Sequence, residues 1–253
     1  MEMTMTMNSD CRGTAGCEAA TAWGAAAFFT KEHFGLLEEL MYPKKAKAGE
    51  RLFWEGDATG KLYYVRSGSV KVTKTTEDGK TVNLTIQRRG DLLGELGLTG
   101  SSVYEYSAVM MEDGEFGVIQ EKDLEILLHR HGDFAVAFTK WMALQHRTTQ
   151  SKFRDLLLFG KPGALASTLI RLCNTCGVVT PEGIRITMKL THTELAEFIG
   201  ATRESVNRML SDLKADGIVE IEGGCLLVKS LNQLKSICQC PSFPACPREI
   251  CRI

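Results

Sequence analysis

The sequence predicts an α+β protein in which a β-rich unit, one long helix and a small helical unit closed by a hairpin follow one another. Three observations predict it. Between Lys44 and Glu121 the chain breaks into short β-type runs punctuated by glycines. Residues 133–159 repeat a spacing of seven, with Phe134, Trp141, Thr148 and Asp155 in register. From Leu190 onward, two short amphipathic stretches flank a glycine and a β hairpin follows.

Residues 1–27, rich in Met, Thr, Ala and Gly and without clear periodicity, read as a poorly ordered lead-in. A helix is expected at "TKEHFGLLEELM", where Phe34, Leu37 and Met41 form one apolar face and Pro43 stops it. Residues 28–132 are then expected to form one β-rich unit. Its runs "RLFWEG", "KLYYVRSGSVKVTKT", "TVNLTIQRR" and "YSAVMME" are the closely spaced strands of a sandwich or jelly roll, and Asp78-Gly79 supplies a hairpin turn.

The seam of residues 133–159 is the pattern of helices packing side by side, here across a two-fold axis. Asp155 is out of place on such a seam, because two symmetry-related carboxylates would repel unless something neutralises or binds them. Gly160, Pro162 and Gly163 form a hinge signal, followed by a helix at "ALASTLIRLCNTCG" and a strand at "IRITMKL".

Within 160–230 the two-helix segment is the most specific feature. Thr191 and Glu194 form a capping box, Leu195, Ala196 and Ile199 an apolar face, Gly200 a tight turn, and Thr202 a second cap. Val206, Leu210 and Leu213 must face a core. Arg203, Glu204, Asn207 and Arg208 then span about 140° of the other side at roughly 100° per residue. Those residue types suit a major groove: arginine forks onto guanine, and glutamate accepts from cytosine. The hairpin "GIVEIEGGCLLV" is a natural wing, able to touch phosphates.

Charge supports that assignment. Residues 28–138 carry 14 Lys/Arg and 18 Asp/Glu (14 - 18 = -4), and residues 139–214 carry 11 and 6 (11 - 6 = +5). A basic segment after an acidic one points to a polyanionic partner. No nucleophile elbow, phosphate loop or ordered acid–base pair suggests an enzyme. The unbroken apolar stretches are shorter than the roughly 18 residues of a membrane span. The start lacks a basic n-region, so a cytoplasmic location is expected.

In that compartment thiols stay reduced, which makes the nine cysteines candidates for metal binding, redox chemistry or packing. Cys238, Cys240, Cys246 and Cys251 fall within the cysteine-rich tail, residues 231–253. Thiolates so close together suit a soft metal centre, zinc or iron–sulfur. Their spacing is not that of paired C-X2-C units. Pro241, Pro244 and Pro247 keep the loop extended. Cys173 and Cys176 are on an apolar helix face, where packing is the simpler role, and Cys225 reads as a buried side chain of the wing.

The chain resembles the Crp/Fnr family of transcription regulators. "RLFWEGDATGKLYYVRSGSVKV", "GDLLGELGLTG", "YSAVMM" and "LTHTELAEFIGATRESVNRMLSDLKADGIVE" carry the resemblance, over about residues 28–230. It implies a cyclic-nucleotide-binding-like jelly roll, a dimerisation helix (133–159) and a winged helix-turn-helix, acting as a homodimer on palindromic double-stranded DNA and with RNA polymerase. Arg203, Glu204 and Arg208 match the family's reading triad, which implies a TGTGA-N6-TCACA-like site; Asn207 departs from the pattern. Thr191 and Thr202 join them as expected DNA-side residues. In the stretch matching the phosphate cassette, Gly94 and Glu95 are kept, but Tyr106 stands where an arginine would meet a cyclic phosphate. Cyclic AMP sensing is therefore not expected.

The tail resembles that of the Bacillus-type Fnr branch. Its oxygen-sensing [4Fe-4S] cluster is held by C-terminal cysteines and an aspartate of the dimerising region. "CPREIC" matches the branch's spacing, and Asp155 is in the corresponding place. The resemblance implies one [4Fe-4S] cluster per protomer, with ligands among Cys238, Cys240, Cys246, Cys251 and Asp155. Two other readings stay open: an effector other than cyclic AMP in the jelly roll, and a zinc or dithiol switch in the tail.

Overall fold

The computed structural model describes residues 24–97, 103–241 and 245–253. The described chain forms two compact units, divided between Ser151 and Lys152.

In the first unit the Thr30 hydroxyl accepts from the His33 amide at 3.1 Å and opens α1 (Lys31–Glu39). The helix ends before the proline expected to stop it. Pro43 stands instead in β1, an edge strand where a missing N–H breaks no interior ladder. The lead-in is also shorter than expected. Ala25–Ala27 form a turn of 3-10 helix, and Ala25 and Phe29 are buried in a core. Residues 1–23 lie outside the described residues.

The strands are β1 (Tyr42–Ala46), β2 (Arg51–Phe53), β3 (Lys61–Ser67), β4 (Ser69–Thr75), β5 (Thr81–Arg88), β6 (Leu92–Leu93), β7 (Ser107–Met110) and β8 (Gly114–Gln120). They form two antiparallel sheets ordered β1-β8-β3-β6 and β2-β7-β4-β5, a jelly roll. Phe53, Tyr63, Val65, Val70 and Phe116 fill one core. Leu62 and Ile119 of the same sheet enter a second core with Leu37, Leu124, Phe134 and Trp141. The sheet is thus covered on both faces, which is why "KLYYV" reads as continuously apolar rather than alternating.

α2 (Glu121–Arg130) and α3 (Gly132–Cys176) follow. The expected two-fold seam is not a seam. Phe134 and Trp141 are buried in the core of their own unit, and Asp155 is buried in the other. A spacing of seven reports an apolar face but not which chain covers it. The large apolar residues that α3 exposes are instead Val136, Met142, Phe153, Leu156, Leu157 and Leu158.

At Gly160 (φ 59°, ψ -165°) α3 leaves helical geometry, a conformation that favours glycine. The break is sharp. Asp155 Oδ2 is 2.9 Å from Arg171 Nη2, although a straight helix would separate residues 16 apart by about 24 Å. Ser167 also donates to Asp155, and Arg154 reaches its other oxygen at 2.6 Å. The carboxylate that looked unpaired in the sequence is thus compensated within its own chain. An 18-residue window of α3 is long and apolar enough to cross a bilayer, but 61% of it is buried inside the protein, as in a core helix.

The second unit continues with β9 (Gly177–Thr180), β10 (Gly183–Ile186), α4 (His192–Phe198), α5 (Arg203–Ala215), β11 (Val219–Glu222), β12 (Cys225–Val228) and α6 (Leu231–Ile237). The four strands form one antiparallel sheet ordered β11-β12-β10-β9. The segment expected to be all tail therefore begins with a helix, capped by Ser230 and anchored by buried Leu234.

Because Arg171 is buried opposite Asp155, an Asp155→Ala chain should lose about 3–5 kcal/mol of stability. Urea unfolding of the C-terminal unit in chelator checks this, and an unchanged midpoint would contradict it.

Candidate nucleic-acid interface and thiol site

Local bonds fix the two helices that carry the polar face. Thr191 accepts from the Glu194 amide at 3.1 Å, and Glu194 accepts from the Thr191 amide at 2.9 Å, a complete capping box. The Thr191 hydroxyl also donates to that carboxylate, so it is committed to placing α4. Gly200 (φ 58°) turns the chain, and Thr202 accepts from the Ser205 amide at 3.2 Å to start α5. Val206, Leu210 and Leu213 are buried; Arg203, Glu204, Asn207 and Arg208 are exposed together on the opposite face. Glu204 is held below the usual carboxylate range by its own amide at the helix start, then by the Thr202 hydroxyl and Arg203. It stays an acceptor. The wing strands β11 and β12 are braced by Lys229–Glu220 at 2.8 Å and Arg185–Glu222 at 3.1 Å.

In the jelly roll, Tyr106, which stands where an arginine would meet a cyclic phosphate, packs against its own unit. The Tyr106 ring packs 5.7 Å from Phe53, its hydroxyl meets the Gly94 backbone, and burial raises its pKa. Glu95 accepts from the Glu105 amide at 2.6 Å, a structural use of that carboxylate. Residues 98–102 of the cassette lie outside the described residues.

The tail brings some of its thiols together and sets one apart. Gln239 takes a positive φ of 43°, and the Cys240 amide returns to Lys235 O at 2.8 Å, so the chain reverses after α6. Cys240, Cys246 and Cys251 line one cavity of about 650 Å³, with Lys235 and Arg248 on its wall. Cys238 is not on that wall. It is buried at the end of α6, where its thiol donates to Lys235 O at 3.7 Å. Burial pushes Cys238 up to about 11, reinforced by Cys240 and Asp155. Burial also raises Cys240 and Cys251; the nearby Arg171 and the Asn174 amide pull Cys251 the other way.

Arg154 joins the two halves of the site, bonded to Asp155 and interacting with the Cys246 thiol. Among the described residues, no three His, Cys, Asp or Glu side chains are gathered closely enough to hold a metal ion as they stand. The donor set nevertheless fits a soft centre. Three thiols share one cavity, and Arg154 and Arg171 are placed to offset the negative charge that thiolates bring. Cys173 and Cys176 are buried free thiols on α3, with Cys173 pushed by burial to about 12, as packing side chains would be. Cys225 is buried in β12, as expected of a small side chain of the wing, and is not among the residues lining the thiol cavity.

Arg154, Arg171 and Asn174 were not legible as site residues. The one available signal was Arg171 itself, a lone charge in the apolar run "LIRLC".

Residues 43–131 match the family of cyclic nucleotide-binding domains, and residues 163–237 match the Crp-like helix-turn-helix domain. The anaerobic regulatory protein of Bacillus subtilis is 43% identical over 222 residues, covering 87% of this chain and 92% of its own. The global nitrogen regulator of Synechocystis is 30% identical over 187 residues, covering 72% and 83%. A solved CooA mutant from Carboxydothermus hydrogenoformans shares the fold with a TM-score of 0.68, at 23% identity over 80% of this chain and 89% of its own. Two matched domains in this order, and a relative alike over most of both lengths, establish that the chain belongs to the Crp/Fnr family of DNA-binding transcription regulators and is not an enzyme.

Proposed function

We propose that the protein is a cytoplasmic, homodimeric regulator of the anaerobic response whose DNA binding is controlled by an oxygen-labile [4Fe-4S] cluster, one per protomer. The observation that carries this reading is the convergence of Cys240, Cys246 and Cys251 on one cavity beside Arg154 and Asp155. The name of the Bacillus relative, an anaerobic regulatory protein, supports it.

Cys240, Cys246 and Cys251 would hold the cluster, with Asp155 or Cys238 as the fourth ligand. The cluster supplies an oxygen-sensitive bond between tail and helix. The protein's own residues do the rest. Arg154 and Arg171 offset thiolate charge, and the burial that raises Cys240 and Cys251 makes loading release protons. Exposed apolar residues of α3, among them Met142, Phe153 and Leu157, serve the dimer contact in place of the buried face. Arg203, Glu204 and Arg208 read a TGTGA-N6-TCACA-like palindrome, with Thr202 and the wing at the phosphates, and RNA polymerase is the partner acted upon. Tyr106 disfavours an effector of cyclic-nucleotide type in the jelly roll.

Anaerobically purified protein should contain about four iron and four sulfide per protomer and lose both in air. Cys251→Ser should carry neither and lose operator binding while keeping its circular dichroism. Zinc, or no metal, in the wild type would sink the cluster reading. For DNA, Arg203→Ala should cost about 1–3 kcal/mol on the palindrome and much less on a duplex with altered half-sites. Fluorescence anisotropy at fixed salt measures this, and an equal loss on both duplexes would assign Arg203 to the backbone instead.

A further inference from the structure

The last residues of the chain are held by bonds that use no thiol. Arg171, 3% exposed, places Nη1 2.9 Å from Ile250 O and 3.4 Å from Arg252 O. Its other nitrogens go to Asp155 and Ser167, at 2.9 and 3.2 Å. Three residues further along the same helix, Asn174 donates from Nδ2 to Cys251 O at 2.9 Å. Three consecutive carbonyls are thus bound by two side chains of α3. The segment is also closed on itself, since the Ile250 and Cys251 amides donate to Pro247 O at 3.1 and 3.3 Å, and Ile250 is buried. Only a guanidinium can do what Arg171 does. Its planar fork serves a carboxylate on one edge and carbonyls on another, whereas an ammonium is a single point of charge.

We infer that Arg171 and Asn174 form a metal-independent latch that keeps residues 250–252 docked on α3 whether or not the tail thiols hold a metal. Cys251 is then the fixed thiol of the site. Any metal-dependent rearrangement is confined to the chain before Pro247, which carries Cys240 and Cys246. The inference rests on the proposed function only in treating Cys251 as a ligand; the latch itself belongs to the metal-free chain.

The test is amide hydrogen exchange of the full chain, reduced and held in chelator, read by mass spectrometry on peptides covering residues 245–253. Wild-type protein should protect the Ile250 and Cys251 amides. Asn174→Ala and Arg171→Lys should exchange them roughly tenfold faster or more, as loss of a charge-assisted or buried hydrogen bond implies, with α5 unchanged. Arg171→Lys keeps a charge facing Asp155; if it nevertheless unfolds the unit, Asn174→Ala, which leaves Asp155 untouched, decides. Coil-rate exchange of the wild-type tail, or wild-type rates in Asn174→Ala, would overturn the latch. Iron analysis separates the two ideas. A protected tail without iron removes the cluster and leaves the latch, and iron in a protein whose metal-free tail is unprotected does the reverse.

Discussion

The pairing of Asp155 with Arg171 is the constraint on which the C-terminal unit depends. A guanidinium buried to 3% exposure is costly unless its charge is met and its donors are satisfied. Here the charge is met by a carboxylate 16 residues earlier, and the remaining donors by Ser167 and the tail carbonyls. Satisfying one side chain therefore fixes three things: the turn of α3 at Gly160, the position of the segment before that turn, and the seat of the last residues. A hydrophobic contact could hold any one of these, but it would not specify all three together, because it has no direction.

The same network explains why a thiol site can exist at this place. Bringing several thiolates and a carboxylate together is opposed by their mutual repulsion, and burial adds to it, as the raised Cys240 and Cys251 indicate. Lys235 and Arg154 work against this rise at Cys240, and Arg171 does so at Cys251. The two arginines are held by Asp155, so one buried carboxylate positions charges that make the gathered thiols tolerable.

What was legible in the sequence was local. Thr191, Glu194, Gly200 and Thr202 are signals read within four residues of one another, and the structure uses each of those side chains or conformations nearby. The jelly roll was legible from turn glycines for the same reason. What failed was partnership at a distance. The spacing of Phe134, Trp141 and Asp155 was read as a seam between chains because period alone does not name the covering surface. Asp155 looked unpaired because Arg171 is 16 residues away, beyond a break that only Gly160 permits. α6 was passed over although Ser230, Leu231 and Leu234 carry ordinary helix signals, since the cysteines after it invited a reading of the whole segment as ligand loop.

A docked C terminus changes what a bound metal can do. A ligand shifts an equilibrium only by the difference in its affinity for the two states. If residues 250–252 are seated on α3 in both states, Cys251 contributes little to that difference. The shift must then come from Cys240 and Cys246, which lie outside the latched segment, or from Asp155. Asp155 already accepts bonds from Arg154, Ser167 and Arg171, so ligating metal would weaken the bonds that hold α3 at its turn. A carboxylate shared between the helix and the metal would couple the two directly: strain at Gly160 would loosen the ligand, and loss of the ligand would return Asp155 to the arginines. That exchange of partners would be a two-state element of the kind a switch requires, and it would need no motion of the C-terminal residues.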